Sequence, residues 1–135
     1  MMPALVEGPR AIYTRSTIHH FRIDMKKFLV LYRMDMAEIK KYMETVSKEE
    51  QQKSMAEWAA WLQTHAAEFA DQGAPVGKNK QVTLMGVADM SNDIAGYSIV
   101  LAESHDAATA LLADSPHLKM PGATADVMGL VEMPQ

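Results

Sequence analysis

The sequence predicts an α+β domain: a four-stranded antiparallel sheet with its helices on one face, in the order strand, helix, strand, strand, helix, strand. Three observations predict it. Two runs rich in β-branched and aromatic residues, 28–32 and 94–102, bracket a long segment of helical periodicity. Ser47 and Ser104 stand where helix starts are expected. The strands are apolar at odd and even positions alike, so both faces of the sheet call for cover.

The elements follow in order. Residues 1–24 carry Pro3, Gly8, Pro9, three arginines and the His19-His20 pair with no sustained period. They read as a flexible arm or as a start codon placed too early, ahead of a domain spanning 25–135. They lack the apolar segment of about 7–15 residues that a signal peptide needs, and their Arg, Ser and Thr content only faintly resembles a transit peptide. Phe28-Leu29-Val30-Leu31-Tyr32 is the first strand, and a helical turn or two follows around 36–45. Ser47-Lys48-Glu49-Glu50 has the S-x-x-E pattern of a capping box. The helix it opens is expected to reach Asp71, because Met55, Trp58, Leu62, Ala66 and Phe69 draw one apolar stripe, with Gly73 and Pro75 as stop signals. Strands at 81–87 and 94–102 are expected to form a hairpin across the turn-forming segment 89–93. Ser104 caps a second helix, Ser115-Pro116 ends it, and 125–133 reads as the last strand. This is the split β-α-β, ferredoxin-like pattern, in which right-handed crossovers place both helices on one face. The uncovered apolar face would exceed the few hundred Å² usual for monomers. A second copy about a two-fold axis is the simplest cover, with the N-terminal arm or loops as the alternative.

Composition limits the function classes. With 135 residues, 48% hydrophobic and 22% charged, the chain is an ordinary globular domain. Thirteen basic against 17 acidic residues give a formal charge of -4, and only three Phe are present. That balance argues against nucleic acid or anionic lipid as a partner. The absence of cysteine excludes disulfides, thiolate metal sites and a Cys nucleophile, and fits a cytoplasmic location. No stretch of about 18 apolar residues predicts a membrane span.

Trp58-containing Glu57-Trp58 to Trp61, the stretch from Phe69 to Lys78, Ala95-Gly96-Tyr97-Ser98-Ile99-Val100, Ala102-Glu103-Ser104-His105-Asp106-Ala107-Ala108 and Pro116-His117-Leu118 together resemble the YCII-related proteins, also called the DGPF-domain group. The resemblance covers about residues 26–133. It implies a ferredoxin-like protomer paired into a dimeric α/β barrel, with a cleft between strands and loops. Most members have no assigned activity; some groups sit beside sigma-factor genes, and a few relatives are proposed to be small enzymes. The Asp-Gly-Pro-Phe signature is absent here, and Ala88-Asp89-Met90-Ser91-Asn92-Asp93 occupies the equivalent region. The branch proposed to be catalytic pairs an early helix histidine with an aspartate; Leu62 or a neighbour takes that place, and His65 lies roughly a turn later.

Several residues are candidates for chemistry. Trp58, Trp61 and His65 share one side of the long helix, where two indoles and an imidazole suit a planar ligand and a proton shuttle; the plainer reading, which is favoured, puts Trp58 in the core, Trp61 over the sheet edge and His65 on the surface. Lys78 and Lys80 flank Asn79 and could hold a carboxylate or phosphate; solvated lysines are the bland reading. Tyr97 and Ser98 point to opposite strand faces and supply polar contacts in an apolar cleft. Asp114 and His117 bracket Pro116, while His105 and Asp106 diverge on a helix. No metal-ligand spacing, P-loop or G-x-S-x-G elbow is present, so neither a metal nor another cofactor is implied. The expected ligand site is therefore Trp61, His65, Lys78 and Tyr97, with His65, Asp114 and His117 as catalytic candidates. One difficulty is built in: His65 belongs to the helix-covered side of the sheet, and Tyr97 can face only one side. The functional expectation is a homodimeric small-molecule-binding protein or minor enzyme; the rival is a non-catalytic regulatory module beside a transcription factor. A deep cleft separates the first from the second.

Overall fold

A computed structural model describes residues 25–133 of the chain. The expectation for residues 1–24 lies outside the described residues. The order is β1 (Lys26–Arg33), α1 (Met36–Thr45), α2 (Lys48–Thr64), β2 (Phe69–Pro75), β3 (Lys80–Thr83), β4 (Gly86–Asp89), β5 (Ile94–Ala102), α3 (His105–Ala113) and β6 (Thr124–Gly129), with 3-10 turns at Ala66–Glu68 and Pro116–Lys119. Four strands form one antiparallel sheet in the order β2-β5-β1-β6, and β3 pairs only with β4. With the β3–β4 pair set aside, the two central strands are the first and third in the chain. This is the arrangement of a split β-α-β unit, compatible with a ferredoxin-like fold.

Side chains set the helix starts. Asp35 accepts from the amides of Ala37 and Glu38 to begin α1. Ser47 and Glu50 complete the capping box of α2, with Ser47 Oγ 3.1 Å from the Glu50 amide and Glu50 Oε1 3.3 Å from the Ser47 amide. Ser104 accepts from Ala107 at 3.1 Å to begin α3. Strand alternation then divides the sheet. Phe28, Val30, Tyr32, Ser98, Val100 and Ala102 are buried beneath Trp61 of α2 and Ala108 and Leu112 of α3. Leu29, Leu31, Tyr97, Ile99 and Leu101 point to the opposite face, which no described helix covers, and stay only half-buried.

Three expectations are corrected. Helix α2 ends at Thr64 instead of running to Asp71. Phe69 belongs to β2, where it packs edge-on against Trp61 at 5.5 Å, so the apolar stripe is shared by a helix and a strand. Residues 81–87 do not pair with β5. That partner is β2, and 81–87 instead contribute to the separate β3–β4 hairpin, because the Thr83–Gly86 turn joins its two arms locally. Finally, β6 stops at Gly129, and Leu130, Val131 and Met133 are exposed.

Gly73 shows why β2 can join the sheet. Its φ is +78°, and a Cβ there would lie 1.7 Å from the Tyr97 carbonyl oxygen. Only glycine allows both the left-handed backbone and this approach. Gly73 is thus a kink inside a strand, within the register shift between Asp71 and Ala74 of the β2–β5 ladder, and not a helix stop.

Candidate functional site

Helices α1 and α2 do not close fully on the sheet. Between them and the β2–β5 edge lies a cavity of about 700 Å³. Tyr42 and Met43 of α1, Met55, Trp58 and Leu62 of α2, and Met34 and Met120 from the connections form its apolar walls. Methionine fills irregular space without a fixed shape, so these walls can adapt to different ligands. α1 buries no side chain of its own, which leaves this wall the least anchored of the helices.

The base of the cavity is polar. Tyr32 Oη donates to Ser98 Oγ at 3.0 Å, and Ser98 Oγ donates onward to the Gln72 carbonyl at 2.8 Å. Burial raises the Tyr32 pKa against the opposing effect of the Ser98 bond, so the phenol stays neutral. Its oxygen retains acceptor capacity. His117 also lines the cavity and is 3% exposed. Its Nε2 lies 2.8 Å from the Thr124 carbonyl and 3.2 Å from the Arg33 carbonyl. Carbonyls only accept, so Nε2 carries the proton, and in the neutral ring Nδ1 holds the lone pair. Tyr32 packs edge-on to His117 at 5.2 Å and to Trp58 at 5.4 Å, which fixes three rings at one end of the site.

The structure does not bring the expected constellation together. Trp61 is in the core, with no hydrogen-bond partner for its Nε1, and does not line the cavity. His65 caps the end of α2, its Nδ1 2.7 Å from Glu68 Oε1 and its ring against Trp61 at 5.4 Å. Lys78 is exposed in the link to β3 with a φ of +57°. Lys80 pairs with Asp89 inside the hairpin. Tyr97 touches the cavity from β5, but its ring is on the open face and its hydroxyl lies 3.3 Å from Asp71, whose charge raises the phenol pKa. Asp114 is the exposed C-cap of α3 and makes no pair with His117. His105 packs on Phe28 and reaches the Val127 carbonyl at 2.7 Å. Of the catalytic candidates, His117 alone reaches the cavity.

Tyr32 was missed as a site residue. Its signal was in the strand phase: it shares the inward face with Phe28 and Val30 and lies at the end where β1 leaves the core. Among the described residues no group of three or more His, Cys, Asp or Glu could hold a metal ion, and no described helix is long and apolar enough to cross a membrane. No family model matches the chain, and no curated protein matches it significantly.

Proposed function

We propose that this chain is a YCII-related protein that acts as a homodimer and binds one small, largely apolar molecule per chain in the cavity under α1 and α2. The observation that carries the reading is the cavity: about 700 Å³, apolar-walled, with Tyr32, Ser98 and His117 at one end. That is the usual make-up of a small-ligand site, a mainly apolar lining with a few fixed polar groups. The Pro116-His117-Leu118 stretch that carries the resemblance contributes its histidine to this cavity. The dimer reading is supported by the half-buried apolar face opposite the helices, where a second sheet gives the dimeric barrel.

The polar groups favour a ligand that donates a hydrogen bond. Tyr32 Oη already donates its hydrogen bond to Ser98, and with Nε2 facing two carbonyls the lone pair of an unprotonated His117 ring is at Nδ1. A phenol or enol supplies both the flat apolar body and the donor. In this role His117 is the base that would take the proton of such a hydroxyl. The test is thermal shift with para-propylphenol against its methyl ether, para-propylanisole. A bound ligand at about 100 times Kd adds roughly 2.7 kcal/mol of stability. The phenol should raise the melting temperature by several degrees and the ether by clearly less. No shift across a panel of phenols and enols would overturn the reading. A second reading, a non-catalytic interaction module, draws on the exposed apolar hairpin and expects no ligand response.

A further inference from the structure

The β3–β4 hairpin has no role in the cavity, and every residue from Lys80 to Ser91 is exposed. Its cross-strand pair is Val82 with Val87, and its turn carries Leu84 and Met85. These four are 75%, 65%, 106% and 95% exposed. Between Lys80 and Asp89, which pair at the base, residues 81–88 include no charged side chain. An isolated two-stranded ribbon is at best marginally stable in water, and an uncharged apolar one with two open edges is an aggregation hazard. Among the described residues nothing covers it.

We propose that this hairpin is a dimerisation arm, whose apolar tip packs on the open sheet face of a second copy of the chain. The proposal rests on the two-copy reading above and says what completes that interface. The same molecule offers both halves of the contact. The open face presents Leu29, Leu31, Ile99, Leu101 and Met128, with no described element over them. The reach fits: a strand of four residues spans about 13 Å, against roughly 10 Å between stacked sheets. The size fits as well. A stable interface uses about 20–30 residues a side, and the outward positions of the four strands supply roughly a dozen. The arm from Lys80 to Asp89 brings the total into that range. Two arms related by a two-fold axis each cover the other copy's sheet, so the contact is the same on both copies and closes at two chains.

Sedimentation equilibrium of the full chain and of Leu84→Ser/Met85→Ser tests this. Both replaced side chains are fully exposed in the single chain, so the variant should keep its melting temperature when monomeric. The expected result is a dimer of about twice 15.0 kDa for the native chain. In the variant the dimer dissociation constant should rise at least about tenfold, which corresponds to 1.4 kcal/mol. A native dimer unchanged in the variant overturns the arm and leaves the two-copy reading standing. A native monomer overturns both. Because the chain has no cysteine, Met85→Cys labelled with an environment-sensitive fluorophore reports on the tip directly. Its emission should shift to the blue as protein concentration rises. A shift independent of concentration would show the tip buried on its own chain, and no shift would show it free; either result overturns the proposal.

Discussion

Single residues hold the sheet and the cavity in register. A Cβ at Gly73 would collide with the Tyr97 carbonyl, and its positive φ disfavours any side chain. Gly73→Ala should therefore cost at least about 3 kcal/mol, read as a drop in the denaturation midpoint. Arg33 ties three strand ends together through Asp93 at 2.8 Å and Asp126 at 2.9 Å. Its hydrogen bonds hold the Asp93 carboxyl below the usual carboxylate range. A depressed folded pKa stabilises the native state above the unfolded value, near 3.9, and the benefit is lost as pH falls through the folded value. Acid titration should show this: Arg33→Met ought to remove part of the stability loss seen below about pH 4. An unchanged acid limb would mean that the pair contributes nothing. The candidate site was legible at this scale only in part. Trp58, Ser98 and His117 could be singled out from sequence, yet Trp61 and His65, four apart on the same helix, do not reach the cavity. Helical spacing specifies a shared side and not what that side meets, and Trp61 meets the core.

At the scale of elements, starts were easier to read than ends. A cap is a local hydrogen bond, and the Ser47 and Ser104 caps follow from their own neighbours. Ser47→Ala should lower stability by about 1 kcal/mol. A much larger loss would mean that Ser47 does more than cap α2. The end of α2 was not local. Phe69 continues the helical spacing but is drawn into β2 by its pairing with Val100 and its contact with Trp61. Tertiary pairing overrode a run of good helix formers. The same competition misled the hairpin: 81–87 has the apolar, β-branched character of a sheet strand, but it folds back on itself so that 80–83 pairs with 86–89, and β2 takes the edge of β5 instead. Strand existence was legible from alternation, whereas strand partners depend on which edges other segments occupy.

Across the described residues, apolar surface is left uncovered at two places. The sheet is apolar on both faces, the helices cover one, and the hairpin tip is bare. That two-sidedness was readable from β1 and β5 alone, because odd and even positions both carried large apolar residues. The cavity was not readable, since it exists only where α1 and α2 stand off from the β2–β5 edge. The two features are on different sides of the sheet. Dimer contacts on the open face and ligand contacts under the helices should therefore separate on mutation, so Leu84→Ser/Met85→Ser should leave ligand response in place. The central claim is that the helix-side cavity binds a small hydroxylated apolar molecule. Isothermal titration of para-propylphenol into the native chain and into Ala59→Phe tests it most directly, because Ala59 is an exposed helix residue at the cavity wall and the larger ring would occupy the space. Saturable binding at one molecule per chain, weakened by about tenfold or more in Ala59→Phe, is the predicted result. Binding equal in the two proteins, or no saturable heat in the native chain, would contradict it.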